Sequence, residues 1–269
     1  MLVLTCVMTY KLNARHLILD ILYAAANNTA SIKQLLCAAQ LLGISDNGVR
    51  VAVTRLVSEH IIYAIERGMY GLHETKFDTT AVSLNKTSSI FIRETWQQDY
   101  IMVYTGALGR VDRSALHKRE KTLRYYGFAE LEQNLFIRPN NLSQHLIELK
   151  QAMVKFGIEN EAHFFTVTEF EQAHCLPSLW KIEDLNQGYI RQTKEIHTWY
   201  NAYPHLPLAE AAKTAFALGK KCLFQLRRDP LLPSEWIDCD ARTQFEQAAI
   251  RMEQQGQQLW LQYFAENGI

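Results

Sequence analysis

Apolar residues recur at helical spacing in three short segments near the start of the chain. The first, 14–26, places leucines and isoleucines on one face. The second, 31–42, opens with Ser31 and Gln34, which have the spacing of a capping box. Gly43 then suits a tight turn, because glycine takes a positive φ without strain. The pattern predicts two short helices that a turn joins to a third.

The third segment, 45–58, separates an apolar face from a polar face. Ser45 is a suitable N-cap, and the helix N-terminus behind it directs free amides toward a phosphate. Arginine and asparagine read guanine and adenine edges, whereas small aliphatic groups and threonine methyls pack on thymine. We therefore interpret this segment as a DNA recognition helix. The candidate base readers are Asn47, Arg50, Val51 and Thr54, and Arg55 is a candidate phosphate anchor.

Two strand-like runs follow the third helix and predict a hairpin. The runs 61–65 and 69–72 flank the turn Glu66-Arg67-Gly68. Arg67 would lie at the tip, within reach of a minor groove or a phosphate. Three helices and a hairpin in this order predict a winged helix-turn-helix. The alternative is a trihelical packing module whose arginines are merely solvated.

From about residue 90, strand-like and helical runs alternate in the order βαββαβ. This order predicts a ferredoxin-like α+β domain. Its first helix, 112–125, is rich in arginine and lysine, and its second helix covers 141–156. The basic helix has two open interpretations, contact with a phosphate-bearing ligand or the DNA backbone, and a solvated face. The predicted strands are 99–105, 128–131, 135–138 and 163–168.

The last third of the chain is helical by pattern and is interrupted at proline-containing joints. Asp229 precedes Pro230, which forces it away from helical dihedral angles, so we expect a corner that fixes two helices. The predicted helices are 179–200, 209–228 and 241–265. The predicted domains are 1–88 for the winged helix, 89–172 for the ferredoxin-like domain and 173–269 for a helical C-terminal domain.

The amino-acid composition narrows the range of possible functions but does not identify one. The chain has 269 residues, 48% of them hydrophobic, which is enough for a sizeable core. Its 28 basic and 28 acidic residues balance, so DNA binding would depend on how charge is distributed over the surface. The opening MLVLTCVMTYKL lacks a basic start and a cleavage site, and no transmembrane run is present, so we expect a cytoplasmic protein without membrane contact. Five scattered cysteines favour reduced core thiols, and we expect neither a metal nor a cofactor.

Several short motifs occur in a fixed order along nearly the whole chain. They are G-I-S-D-N-G-V-R-V-A-V-T-R-L-V at 43–57, Arg67-Gly68 with Tyr70-x-Leu72, Trp96, Tyr126-Gly127-Phe128, Ile137-Arg138-Pro139 and 228–233 (R-D-P-L-L-P). Together they resemble the PaaX-like repressors of phenylacetate catabolism, a family of bacterial transcriptional regulators. The resemblance implies a homodimer that represses transcription from a double-stranded DNA operator. It also implies effector binding and dimerisation by the C-terminal domain, and release when an aryl-CoA thioester such as phenylacetyl-CoA binds.

The chain departs from the family pattern after Pro233, where 234–238 compresses a region that usually carries a second L-P and a W-P-G. The identity of the inducer therefore stays open. An acyl-CoA effector carries phosphates and, in this family, an aryl group, which cations and aromatic rings would bind. The candidate effector residues are Arg110, Arg113, Arg119, Arg124, Tyr126 and Arg228.

We do not expect an enzyme. The resemblance implies a middle domain similar to the small CRISPR-associated nuclease, whose chemistry needs a carboxylate at the end of the first strand. The chain instead has Val103-Tyr104-Thr105-Gly106 there. Two alternatives remain open: a ligand-sensing adaptor whose winged helix binds a protein, which a neutral net charge permits, and a catalytic CoA-thioester protein.

Overall fold

The computed structural model describes residues 12–25, 27–73, 95–171 and 173–269. These residues form an α+β fold with two antiparallel sheets and a helical C-terminal region. The chain divides into two compact units. Unit 1 takes the described parts of Met1–Val82 with Glu195–Cys222 and Ala248–Ile269, and unit 2 takes those of Ser83–Lys194 with Leu223–Gln247.

The sequence predicts one helical domain over 173–269, whereas the structure shares these residues between the two units. Packing explains the difference. Aromatic side chains near the chain end, including Trp260 and Phe264, join the core of the N-terminal helices, while Trp180 and Trp236 pack beside Trp96 in unit 2. The predicted boundary at residue 88 and the opening segment 1–11 lie outside the described residues.

Three helices and a hairpin open unit 1 at the predicted places. Helix α1 spans Ala14–Ala24, α2 spans Ile32–Leu41 and α3 spans Asp46–Ser58. The predicted capping box is confirmed, since Ser31 Oγ accepts from the Gln34 N–H at 3.1 Å and Gln34 Oε1 accepts from the Ser31 N–H at 2.8 Å. Residue 26, the predicted end of the first helix, is not among the described residues.

A small antiparallel sheet packs beside these helices. Strands β1 (Thr29–Ser31), β2 (Ile62–Glu66) and β3 (Met69–Leu72) are ordered β1-β3-β2. The core of this region is aliphatic and includes the fully buried Leu17, Leu22, Leu35, Val49, Leu56 and Ile62.

The second sheet belongs to unit 2 and has four antiparallel strands ordered β5-β6-β4-β7. Helix α4 (Arg113–Tyr125) joins β4 to β5, and α5 (Leu146–Phe156) joins β6 to β7, so the predicted βαββαβ order is confirmed. The strands are β4 (Tyr100–Tyr104), β5 (Ala129–Glu132), β6 (Leu135–Pro139) and β7 (His163–Val167).

The predicted start of α5 at residue 141 is wrong by five residues. Asn141 is buried outside the helix, where its side-chain amide donates to the Leu231 carbonyl oxygen at 2.8 Å. The helix starts after His145, whose N–H donates to the Glu148 carboxylate at 3.1 Å. Because the Asn141 side chain hydrogen-bonds to this distant carbonyl oxygen, Asn141 does not join the helix.

Three long helices make up most of the C-terminal third. They are α6 (Ile182–Ala202), α7 (Leu208–Arg228) and α8 (Cys239–Glu266), and a 3-10 helix, Ala173–Trp180, precedes them. Within the described ranges, no helix combines the length and the apolar character that crossing a bilayer requires. The expectation of core cysteines holds for Cys222, which is buried, and is wrong for Cys175 and Cys239, which are exposed.

Candidate nucleic-acid interface

The polar face of α3 is open to solvent. Its opposite face is anchored in the core by Val49, Val53 and Leu56, so the rotation of the helix about its axis is fixed. Val51, an aliphatic residue, still exposes 43% of its surface. The predicted base readers and phosphate anchor are therefore all exposed: Asn47, Arg50, Val51, Thr54 and Arg55.

Ser45 caps α3 as predicted. Its Oγ accepts a hydrogen bond from the Gly48 N–H at 3.2 Å, which satisfies one of the free amides of the first turn. Asp46, which was not among the predicted site residues, places an exposed carboxylate in that same turn. A negative charge there competes with a phosphate for the positive end of the helix. The positive end of α3 is therefore already partly compensated by the Asp46 carboxylate.

The cations of this surface are not neutralised by their surroundings. Arg50, Arg55 and Arg67 form no ion pair with any residue in the described part of the chain. In contrast, Arg15 is paired with Glu59, the C-cap of α3, at 2.5 Å. The three unpaired guanidinium groups can therefore donate to an external anion without breaking an internal bond.

The Thr54 hydroxyl group donates its hydrogen to a hydrogen bond within the helix. Thr54 Oγ1 donates to the Arg50 carbonyl oxygen at 3.0 Å. The side chain is exposed, so its methyl group remains available for an apolar contact. Such a group suits the methyl of a thymine better than a polar base edge.

The outer face of the hairpin is apolar, which the sequence analysis missed. Tyr63 and Ile65 on β2 are exposed, and both side chains lie over Gly71 of β3. A Cβ at Gly71 would come within 3.1 Å of the Tyr63 ring. The signal was present in the alternation of β2, because Tyr63 and Ile65 lie on the face opposite the buried Ile62.

Two of the candidate effector residues are structural. Arg119 is buried, and its guanidinium binds the Glu159 carboxylate at 2.5 to 3.2 Å and the carbonyl oxygens of Leu108 and Gly109. Burial disfavours the Glu159 charge, but the hydrogen bond from Arg119 holds the pKa of Glu159 below its usual value. Tyr126 is also buried, and burial raises its pKa. Both residues are therefore withdrawn from the effector set, because their polar or aromatic groups are used inside the protein.

The other effector candidates stay exposed. Arg110 donates to Asn134 Oδ1 at 3.4 Å and lies 3.9 Å from a Glu120 carboxylate oxygen. The Arg228 guanidinium covers the Phe224 ring at 4.2 Å from its centroid. Arg113 and Arg124 are exposed on α4. The structure gives no contact that joins these four arginines into one site.

The motif segments of the middle and C-terminal regions meet around Arg138 in unit 2. This fully buried guanidinium donates to the Tyr126 carbonyl oxygen, to the Leu231 carbonyl oxygen at 3.4 Å and to Asn141 Oδ1 at 2.9 Å. Burial lowers the pKa of Arg138 to about 9. One side chain thus joins α4, β6 and the segment 229–233.

Asp229 fixes the same segment, 229–233, through a second set of hydrogen bonds. Its buried carboxylate accepts hydrogen bonds from Tyr189 Oη at 3.1 Å, Arg242 Nε at 2.8 Å and the Leu231 N–H at 2.8 Å. Burial disfavours the Arg242 charge, but Asp229 and Glu246 raise the pKa of Arg242 above its usual value. The expected corner is present, and these contacts tie it to α6 and α8.

In the described ranges, no three His, Cys, Asp or Glu side chains are grouped so that they could hold a metal ion. Strand β4 ends at Tyr104, one residue before the predicted end at Thr105, and the Tyr104 side chain is exposed.

Comparison with known proteins shows the fold of the chain and not its function. No protein-family model matches the sequence, and no curated protein matches it. Among solved structures, the chain is similar to the uncharacterized protein Rv0674 from Mycobacterium tuberculosis, with 19% identity and a TM-score of 0.58. The similarity covers 93% of this chain and 99% of that one, so the same fold occurs in a second protein of similar length.

Proposed function

We propose that this protein is a sequence-specific DNA-binding transcriptional regulator of the PaaX-like repressor type. Residues 14–72 would be its winged helix-turn-helix, with α3 in the major groove and Arg67 at the tip of the wing. The observation that carries the proposal is the exposed face of α3, where unpaired arginines and Asn47 lie opposite a buried apolar face. In this reading the βαββαβ part of unit 2 is ferredoxin-like, and the protein is bacterial, cytoplasmic and not an enzyme.

The mechanism links two binding equilibria. A homodimer would place its two α3 helices in successive major grooves of a partly palindromic operator, about 34 Å apart, and so block transcription. An aryl-CoA thioester, such as phenylacetyl-CoA, would favour a conformation whose spacing cannot engage both half-sites. Arg50, Asn47, Val51 and Thr54 would read bases, while Arg55 and Arg67 would hold phosphates.

Selection of bound sequences from a random double-stranded DNA pool tests this proposal. We expect an enriched inverted repeat, and we expect phenylacetyl-CoA to reduce binding to it. An enriched repeat whose binding does not change with phenylacetyl-CoA would support the regulator function and exclude that thioester as the inducer. Diffuse, salt-sensitive binding without a motif would contradict sequence-specific recognition.

The variant Arg50→Ala tests base reading on the selected site. We expect a loss of about 1 to 3 kcal/mol in binding free energy and a relaxed preference at one base position, because a bidentate contact to guanine is removed. Arg191→Ala is the matched control, since Arg191 is exposed in unit 2. Titrations of the cognate site and single-base variants measure both effects. An equal loss on all of them would remove Arg50 from the base readers.

The variant Arg67→Ala tests phosphate anchoring by the wing. We expect weaker binding to every DNA sequence by a similar factor, because a phosphate contact carries no base information. The slope of log K against log salt concentration should fall in magnitude by about 1. Titrations at four salt concentrations measure the slope. An unchanged slope with altered base preference would move Arg67 to the base readers.

The apolar wing face supports a second candidate, a ligand-sensing adaptor that binds a protein. Tyr63 and Ile65 expose rings and methyl groups of the kind that anchor protein interfaces. Heparin chromatography separates the two functions. Retention that falls steeply with salt favours DNA, whereas no retention, or retention through high salt, favours the adaptor.

A further inference from the structure

Helix α4, which belongs to unit 2, has a solvent-exposed face on which all the titratable side chains are basic. Four of its positions, at i, i+4, i+8 and i+11, lie on one side of the helix and form a stripe. The stripe extends along about 16 Å of the helix axis. We call this surface the basic face of α4, and it consists of Arg113, His117, Lys118, Lys121 and Arg124.

The acidic groups around α4 are used in other contacts. Glu120, the one carboxylate within the helix, lies 3.9 Å from Arg110. Glu159 binds the buried Arg119 at 2.5 Å. Asp112 is the N-cap, and its carboxylate accepts hydrogen bonds from two backbone amides of the first turn at 2.8 and 3.1 Å. The positive charge of the basic face therefore exceeds the negative charge beside it.

Local helix stability does not account for the basic face. Arg113, Lys118 and Arg124 form no ion pair with residues that the structure describes. Arg113 is the first residue of the helix, where the positive end of the helix dipole disfavours a cation. Lys121 and Arg124 are neighbours on one side of the helix, and like charges at neighbouring positions repel each other.

Other solvated helices of unit 2 expose charges of both signs. Helix α5 exposes Glu148 and Lys155, and the first half of α6 exposes Glu183, Asp184 and Arg191. A mixture of signs is typical of a helix face that meets only water, whereas cations clustered along one helix are typical of a surface that meets phosphates. The chain as a whole has no net charge, so such a cluster is a place where a polyanion can bind.

A DNA duplex presents the regular negative charge that fits this face. Each strand carries one phosphate per 3.4 Å of duplex axis, so 16 Å of helix can face about five phosphates of a strand. Lysine and arginine donate charge-assisted hydrogen bonds to phosphate oxygens. Within α4, all of which the structure describes, no large apolar side chain is exposed. The helix therefore lacks the apolar surface with which basic amphipathic helices enter a lipid bilayer.

We propose that the basic face of α4 binds the phosphate backbone of double-stranded DNA and adds a sequence-independent contact to the one that α3 makes. The role beside α3 rests on the proposed function, whereas binding of the DNA backbone does not. Unit 2 thereby contributes to the affinity for DNA but not to the choice of sequence.

Binding of the full-length protein to a duplex of scrambled sequence tests the backbone contact. The test variant is Arg113→Gln/Lys121→Gln/Arg124→Gln, and the control Lys181→Gln/Arg191→Gln/Lys213→Gln removes three exposed cations from other parts of the chain. We expect the test variant to bind at least tenfold more weakly, and its slope of log K against log salt concentration to fall in magnitude by about 2 to 3. The control should change affinity less than threefold. Equal losses in the two variants, or an unchanged slope, would overturn the proposal.

Urea denaturation of the same variants excludes a structural role. The test variant should keep the unfolding free energy of the wild type, because it removes like charges and glutamine is a good helix former. A loss of DNA affinity that is accompanied by a loss of unfolding free energy would overturn the contact and assign the basic face to the fold.

Titration of the selected site and its single-base variants separates this inference from the proposed function. We expect the test variant to weaken binding to all of them by a similar factor, so that the ratios between sites stay within twofold. Altered ratios would overturn a sequence-independent contact. A selected motif with no effect of the test variant overturns the contact and leaves the proposed function intact. Binding of scrambled DNA that depends on the basic face, in a protein that selects no motif, sustains the contact while the proposed function fails.

Cosedimentation with vesicles of phosphatidylserine and phosphatidylcholine tests the other extended anionic surface. We expect the wild type and the test variant to bind these vesicles equally weakly. Vesicle binding that the test variant loses, together with unchanged DNA affinity, would overturn DNA as the partner and assign the basic face to a membrane surface.

Discussion

Replacing Asp229 with alanine is expected to lower the free energy of unfolding by about 3 to 5 kcal/mol. The carboxylate is buried and accepts hydrogen bonds from Tyr189, Arg242 and the Leu231 amide. Among the described residues, its loss leaves the buried Arg242 guanidinium with one remaining ion pair, a 3.8 Å contact to Glu246. An uncompensated buried charge is among the most destabilising changes that one substitution can make. Urea denaturation followed by tryptophan fluorescence measures the effect.

Asp184→Ala is the control for this measurement. Asp184 is an exposed carboxylate in the first turn of α6, so its removal should cost only a few tenths of a kcal/mol. The double variant Asp229→Ala/Arg242→Ala should cost less than the sum of the two single variants, because it removes both members of the pair. A loss at Asp229 no larger than that at Asp184 would show that the buried network does not hold the corner.

Local signals in the sequence were sufficient for the N-terminal helices. Ser31 and Gln34 satisfy each other's backbone amides within one turn, so the start of α2 depends on neighbouring residues alone. The same holds for Ser45 and α3. The exposed face of α3 also follows from the sequence, since the apolar positions at helical spacing leave only one face for Asn47 and Arg50.

Long-range contacts account for what the sequence analysis got wrong. Asn141 is excluded from α5 by a carbonyl oxygen ninety positions away, at Leu231. Arg119 belongs to a basic stripe by pattern, yet its partner Glu159 lies forty positions further along. No periodicity within a helix can show that one of its cations is buried against a distant acid. The C-terminal third is likewise divided between the two units, a grouping that periodicity along the chain does not show.

The same distinction between local signals and long-range contacts applies to the candidate site residues. Exposure of the α3 face could be predicted, because one helix and its own apolar stripe decide it. The burial of the effector candidates Arg119 and Tyr126 could not be predicted, because it depends on packing against segments distant in the sequence.

The variant Gly127→Ala is expected to lower the free energy of unfolding by about 2 to 5 kcal/mol. Gly127 follows α4 with φ of 76°, a conformation that costs a residue with a Cβ about 1 to 2 kcal/mol. A Cβ there would also lie 2.9 Å from Pro230 Cα and closer still to the Pro230 carbonyl oxygen. Backbone cannot yield as a flexible side chain can, so the close approach adds about 1 to 3 kcal/mol of overpacking. Trp180, whose Nε1 donates to the Gly127 carbonyl oxygen at 3.0 Å, is a local fluorescence reporter.

Gly43→Ala separates the two contributions. Gly43 follows α2 with φ of 74°. The N–H groups of Gly43 and of the next residue donate to carbonyl oxygens three and five positions back, as they do at Gly127. A Cβ at Gly43, however, would meet no atom within 4 Å. Its substitution should therefore cost only the conformational part, about 1 to 2 kcal/mol. The additional loss of unfolding free energy in Gly127→Ala measures how tightly the 229–233 corner packs against the end of α4. Equal losses in the two variants would mean that the corner moves away at little cost, and that the contacts of Arg138 and Asp229 do not fix its position.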